Sequence, residues 1–367
     1  MTVVASPPAG STAPGGSNRR VAVLTDAIAA ELPAPGELRV PAAARAAYLA
    51  ARRTLMPPAA PLVVVVRTEE EAHRLADDLR SWLASGHVRV LPERAALPLE
   101  RALPEHEESG ERLEVLGELT SGRHHVVVIA PLQALAQRTL SAEQLAAGRI
   151  ELTRGARVAQ RTLLGRLVAG GYDPVVEVSG VGEFANRGGI VDAWPPGSAD
   201  PLRIELFGDE IESIRAFDPM TQGSRRRLEH ATLLPASEFL PPGGWASLAE
   251  RAPADRSEQL DEDLAKLEQG DLAEAAETWA ALLTAGPATE HLPRNAHVVL
   301  TDGDELRAIA GELDAQAADR RATLVDNGEL PGDWLLPYAA RAALAWLEER
   351  ASERLEEQAD ADAGFGV

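Results

Sequence analysis

The sequence predicts an α/β protein: a parallel sheet covered by helices and interrupted by a smaller α+β domain. Three observations predict it. The runs "PLVVVV" (residues 61–66) and "HHVVVIA" (124–130) are continuous and β-branched, and each is followed by a segment of helical spacing. This is the mark of strands buried on both faces. From residue 151 to about 235 the pattern changes to short alternating strands with Gly-rich turns. After that, "HVVL" (297–300) and the helical "GDELRAIAGELDAQAADRRATLVDNG" resume the first pattern, so this late strand is expected to complete the sheet begun before the insertion.

Taken in order, residues 1–17, "MTVVASPPAGSTAPGGS", read as a Pro/Gly/Ser/Ala-rich flexible tail. Residues 18–150 form the first half of the α/β domain. Helical composition in "VAVLTDAIAAEL" and "PAAARAAYLAARRTL" precedes the first buried strand, and "TEEEAHRLADDLRSWLASG" follows it as an amphipathic helix. Thr68 is a candidate N-cap there, with Glu71 completing a capping box. "VRVLP", the charged helix "PEHEESGERLEVLGELTSG", the second buried strand and "PLQALAQRTL" continue the alternation.

Residues 151–235 form the inserted α+β domain. "IELTRGARV" alternates, and "AQRTLLGRLVAGG" is a short helix stopped by Gly-Gly. "VVEVSGVGEFANRGGIVDAWPPGS" reads as two strands with a turn around Gly180 to Gly182. "DPLRIELFGDEIESIRAFDPMT" reads as a hairpin turning at Gly208-Asp209. It sets Leu202, Ile204 and Leu206 on one face and Arg203, Glu205 and Phe207 on the other. Residues 236–350 return to helices and the late strand, with "SEQLDEDLAKLEQGDLAEAAETWAALLTAG" expected to be one long acidic helical stretch. Residues 351–367 read as an unstructured tail or the point where a longer protein is cut.

Composition excludes several kinds of chemistry. There are no cysteines, which removes thiolate metal sites, disulfides and cysteine nucleophiles, and the eight histidines include no H-E-x-x-H pairing. His124 and His125 adjoin an apolar run and read as a strand edge. No apolar run reaches the roughly 18 residues of a membrane span and no signal-like N-terminus is present, so a cytoplasmic protein is expected. The net charge is −21, and residues 231–367 hold 10 basic against 28 acidic side chains. Such a surface repels phosphate backbones, so direct nucleic-acid binding by this chain is not expected. Lys266, in an acidic helical stretch, is the sole lysine, and no glycine-rich loop ends in Lys-Ser/Thr.

The segment "GGYDPVVEVSGVGEFANRGGIVDAWPPGSADPLRIELFGDEIESIRAFDPMTQGS" resembles the second domain of the bacterial transcription-repair coupling factors, itself similar to the corresponding domain of the excinuclease protein UvrB. The flanks "RLADDLRSWL", "LPERAALPLE", "RLEVLGELTSGRHHVVVIAPLQALAQR" and "LPRNAHVVLTDGDELR" resemble the half-domains around it more loosely. The resemblance covers roughly residues 20 to 350, and only the amino-terminal module of that family.

It implies a degenerate P-loop helicase-like sheet, because "GELRVPAAARAAYLAARR" has Pro41 and alanines where a phosphate loop would lie. It also implies a non-catalytic adaptor that recruits the excinuclease protein UvrA to stalled transcription. The family's ATP and Mg sites and its contacts with RNA polymerase and DNA would belong to domains with no counterpart here.

Residue by residue, Arg187 matches an interface arginine, Phe184 the aromatic before it, and Arg203 and Glu205 the charged pair of "RIELF"; Phe207 is a further candidate contact. Pro174 and Ala185 stand where the UvrB pattern has arginines, which weakens the expected affinity. Bland readings stand beside these. Arg187 can be read as capping the Gly188-Gly189 turn, Arg203 and Glu205 as a solvated intrastrand pair, and Phe184, Phe207 and Trp194 as packing. Arg225, Arg226 and Arg227 form the one basic run, a solvated face or a contact to an acidic partner. Two alternatives to the adaptor are an ATP-dependent damage-loading enzyme of the UvrB type and a regulatory domain masked by the carboxy-terminal region of a longer protein.

Overall fold

β-branched runs with no polar interruption fold where both faces can be covered, and they form the centre of the larger sheet. The computed structural model describes residues 16–83, 85–121 and 125–357. Along the chain the strands are β1 (Glu37–Arg39), β2 (Leu62–Val66), β3 (Val88–Val90) and β4 (Val127–Pro131). The insertion then supplies β5 (Ile150–Thr153), β6 (Asp173–Pro174), β7 (Glu183–Arg187), β8 (Ile190–Ala193), β9 (Leu202–Phe207), β10 (Glu210–Phe217), β11 (Ser224–Leu228) and β12 (His230–Leu233). Finally β13 (His297–Thr301) and β14 (Ala351–Glu356) return to the first sheet.

That sheet runs β1-β14-β13-β2-β4-β3, with each neighbouring pair parallel. Alternation along β2 divides the core. Leu62, Val64 and Val66 pack with Leu49, Leu79 and Ile129 under helices Ala42–Leu55 and Glu69–Arg80. Val63 and Val65 pack with Leu113, Leu116, Leu306 and Leu344 under helices His106–Thr120, Gly303–Asp326 and Ala340–Arg350. Each fully buried Leu or Val contributes on the order of 1.5–3 kcal/mol.

Several expectations are corrected. Residues 351–356 are strand β14, in the interior of the sheet between β1 and β13. Their polar sequence hides this, because the buried Glu353 is matched by residues far away in the chain. Arg52 Nε lies 2.5 Å from its carboxylate and the Tyr48 hydroxyl donates to it at 2.8 Å. The expected long acidic helix is broken: helix Glu258–Leu267 ends before Gly270, whose φ is +83°. Shorter turns at 273–275 and 280–283 follow, closing a separate helical core around Trp279 and Trp334.

At the start of helix Glu69–Arg80, Thr68 Oγ1 accepts from the Glu71 amide at 3.3 Å, but the Glu71 carboxylate accepts from the Arg67 amide rather than from that of Thr68. A complete capping box forms instead at Ser141 and Gln144. His124 lies outside the described residues. His125 precedes β4 in a left-handed conformation, φ +62°, and its amide donates to the Pro58 carbonyl.

In the insertion, the sheet runs β11-β10-β9-β8-β7-β6, antiparallel except for the β6–β7 pair. β5 and β12 pair as a separate ladder. Helix Gln160–Ala169 packs Leu163 and Leu167 onto one face, with Ile204, Ile214 and Val191 beneath. The hairpin at Gly208-Asp209 forms where expected, with a register shift between Glu205 and Leu206. The turn expected at Gly180–Gly182 is present, with Gly182 at φ +83° and the Glu183 amide donating to the Gly180 carbonyl, but it does not join the two strands. The two strands of that segment are joined at Gly188-Gly189, between β7 and β8. Gly188 has φ +61°, and a Cβ on Gly189 would come within 2.8 Å of the Leu206 carbonyl, so the pair is required by turn geometry and backbone approach.

The insertion is fixed to helix His106–Thr120. His106 Nδ1 meets the Ala236 carbonyl and Nε2 meets Asp173 Oδ2, both at 2.9 Å. Both partners are acceptors, so the ring satisfies both only as an imidazolium. Asp173 accordingly raises the His106 pKa, aided by the Ala236 carbonyl and opposed by burial. Among the described residues no helix is long and apolar enough to cross a membrane.

Candidate partner-binding face

Alternation along the inserted strands leaves one face of the sheet away from the helix, and the register aligns its charges. Across β7 to β11 one row reads Ala185, Asp192, Arg203, Arg215, Arg227. The next reads Arg187, Ile190, Glu205, Ser213.

Arg203 is the tethered member. Its Nε and Nη2 hold the two oxygens of the buried Asp192 at 2.8 and 2.7 Å, Gln222 Oε1 accepts at 2.9 Å, and the guanidinium lies 4.5 Å over the Phe217 ring. The Asp192 hydrogen bonds raise its pKa against the effect of burial. Glu205 does not pair with Arg203. It engages Arg215 and accepts from Ser213 Oγ at 2.7 Å, and Arg215 chiefly holds its carboxyl below the usual range. The intrastrand reading is thereby corrected: each charge has a cross-strand partner, Asp192 directly opposite Arg203 and Arg215 diagonally across from Glu205, both positions within reach of long side chains.

Arg187 is half-exposed. Its Nη2 donates to the Val176 carbonyl at 2.9 Å and approaches Glu177 Oε2 at 3.3 Å. It therefore braces the loop after β6 and still presents an accessible guanidinium. Val176 itself is 88% exposed.

The two phenylalanines separate. Phe207, before the Gly208 turn, is 80% exposed. Phe184 is 6% exposed and belongs to the inner core with Leu163, Val191 and Ile204, so its ring is not on the outer face. Its parity along β7 opposes that of Arg187, which turns it inward.

Ala185, where the resemblance leads one to expect arginine, packs with Val178 and Phe217 and has Trp194 alongside. Pro174 lies exposed in β6, at the sheet's opposite edge from β11. Trp194 is half-buried, its Nε1 donating to the Ser198 carbonyl at 2.9 Å. Asp192, Arg215 and Val176 were not singled out from sequence. The spacing of Ser213 and Arg215 opposite Arg203 and Glu205 was the available signal for Arg215, but it needed the register.

A second concavity lies at the carboxyl ends of β2 and β13, about 340 Å³ in volume and lined by Arg45, Arg67, Glu71, Asp302 and Glu305 among others. Arg45 makes two bonds to Asp302, at 2.7 and 2.6 Å, and Arg67 engages Glu305 at 2.6 Å and Glu71. Pro41 occupies the N-cap of helix Ala42–Leu55 and supplies no side-chain cap.

Residues 150–239 match the family model of the UvrB interaction domain. The match starts at the first residue of β5 and ends six residues beyond β12, so it contains the whole outer face.

The chain is also similar to the transcription-repair-coupling factor of Bacillus subtilis (strain 168), 26% identical over 304 residues, which is 78% of this chain and 26% of that protein. It is 32% identical over 298 residues to that of Mycobacterium tuberculosis (strain CDC 1551 / Oshkosh), 76% of this chain and 24% of that protein. To that of Myxococcus xanthus it is 36% identical over 205 residues, 53% of this chain and 17% of that protein. The chain spans about a quarter or less of the length of these curated relatives.

Proposed function

We propose that the chain acts in transcription-coupled nucleotide excision repair as a non-catalytic adaptor, and that the outer face of its inserted sheet recruits the excinuclease protein UvrA. The observation that carries this reading is the coincidence of the UvrB interaction domain match with a face that leaves Phe207 and Arg187 accessible. Guanidinium forks suit partner carboxylates, and an exposed aromatic beside them is a typical anchor of an interface.

The parallel sheet is read as a degenerate P-loop helicase-like fold. In its cleft Arg45 and Arg67 are already bound to Asp302, Glu305 and Glu71. A triphosphate entering there would have to displace carboxylates from the same cations. Contacts with RNA polymerase and DNA, and any ATP-driven motion, are assigned to other parts of the longer proteins this chain resembles.

The test is capture of purified UvrA by the immobilised chain, with Phe207→Ala and Arg187→Ala alongside. A weakening of roughly tenfold or more for Phe207→Ala is expected of a central anchor. Unchanged capture by both variants would overturn the placement of the interface. Nucleotide turnover by the isolated chain would overturn the adaptor reading in favour of an enzyme of the UvrB type.

A further inference from the structure

Of the basic run Arg225-Arg226-Arg227, only Arg227 falls in a row of the face described above. The run lies on β11, which ends the inserted sheet and has β10 as its single ladder neighbour. Ser224 to Arg227 are all exposed. A terminal strand presents unpaired backbone donors and acceptors along its outer side.

Arg225 is held by Asp200 and Asp218. Arg226 and Arg227 form no ion pair among the described residues. They also diverge: Arg227 continues the outer row with Arg215, and Arg226 opposes Ala216 on the side of the core.

Each lines a concavity beside the strand. On Arg226's side the cleft measures about 330 Å³ and is walled by Pro195, Leu202, Leu228, Ala231 and Leu234, with Glu114 also on its lining. On Arg227's side it measures about 190 Å³ and sets Arg154, Arg215 and Arg227 among Glu205, Glu212 and Glu229, with Leu228 beside them. A strand laid along this edge would send successive side chains alternately into the two clefts.

From this we infer that β11 is a docking edge for an extended acidic segment of a partner protein, which adds to the sheet as a further antiparallel or parallel strand. Backbone pairing supplies part of the affinity. Arg226 and Arg227 select carboxylates, and the apolar walls on Arg226's side accept an aliphatic residue at an alternate position.

A second copy of this chain is a poor occupant, because pairing β11 with β11 sets arginines against arginines. Nucleic acid lacks the alternating donors and acceptors that would pair with the edge as a continuous ladder, and its phosphates meet a chain of net charge −21. An arginine-rich edge can also serve simply to prevent aggregation. That role predicts no binding at all.

The experiment uses the full chain and a fluorescein-labelled peptide of alternating glutamate and valine, followed by fluorescence anisotropy. Three comparisons accompany it: the same peptide with a central proline, a single-stranded oligothymidylate, and the Arg226→Glu/Arg227→Glu chain. Hydrogen exchange reports on the amides of residues 224–228. Saturable peptide binding is expected, weakened roughly tenfold or more by the peptide proline and by the double charge reversal, with new protection confined to β11.

The peptide proline tests backbone pairing without altering the protein, so a folding defect in the variant cannot mimic the result. Absence of peptide binding, binding indifferent to proline, protection elsewhere, or preference for the oligothymidylate would each overturn the inference. So would concentration-dependent dimerisation through β11.

Discussion

The two six-stranded sheets use the same chemical pair, arginine with carboxylate, to opposite ends. In the parallel sheet two such pairs connect distant parts of the chain and lie inward: Arg52 with Glu353 across the β14 side, Arg45 with Asp302 at the strand ends. At the junction of the lobes, Arg94 and Arg112 share Glu238, both guanidiniums being buried, and Arg94 also holds Glu277. In the inserted sheet Arg203 with Asp192 and Arg215 with Glu205 connect adjacent strands, while the half-exposed Arg187 holds the loop residue Glu177 and Phe207 stands free. The difference teaches that a charge-rich strand can serve closure or recognition. Which of the two it serves depends on whether its partner arrives from another element or from the neighbouring strand.

The most severe way to break the closed side is Arg112→Ala. It leaves Glu238 without one of its two guanidiniums and frees the Ala134 carbonyl, to which Arg112 Nη2 donates. Truncating one member of a buried pair costs about 3–5 kcal/mol, and the urea midpoint should fall accordingly.

Arg203→Ala sharpens the boundary between the two uses, because this outer-face residue is tied to the buried Asp192. A loss of about 1–3 kcal/mol is expected for a buried carboxylate left unsatisfied. Weakened partner capture by that variant would therefore carry a folding component, visible in thermal denaturation. Phe207→Ala and Arg187→Ala, by contrast, should leave stability within about 0.5 kcal/mol, as exposed substitutions generally do, while weakening capture of UvrA. A large loss of stability in Phe207→Ala would show that the open face is structural after all.

The smallest effect concerns the joint between the two regions. Folding raises the His106 pKa, so the stabilisation from its contact with Asp173 is fully present below the unfolded value of about 6.5 and fades as pH rises through the folded value. Asp173→Asn should lower the unfolding midpoint more at pH 5.5 than at pH 8. An equal loss at both values would mean that the imidazolium is not what fastens the insertion.

Legibility in the sequence followed locality. The buried strands β2, β4 and β13, the helices after them, and the change of period at the insertion were all readable, because side-chain alternation and helical spacing are properties of a few consecutive residues. The Gly208 hairpin was readable for the same reason. β1 and β14 were not. The first is three residues long, and the second is polar because its glutamate is neutralised by Arg52 and Tyr48, which lie about 300 residues earlier in the chain. Of the candidate residues, Arg187 and Phe207 are exposed, Phe184 lies in the core, and Arg203 and Glu205 share the face opposite Leu202 and Ile204 but pair across strands.

By itself, then, the sequence determined that this is an α/β chain carrying an inserted β-rich domain with a charge-patterned strand pair, since those features are written in local periodicity and residue type. Only the tertiary structure decided which face of the insertion is covered, which arginines are tethered and which remain available, and that the chain's polar end completes the first sheet. These depend on strand register and on partners from distant segments. A one-residue change of register exchanges inside for outside while leaving the local pattern the same.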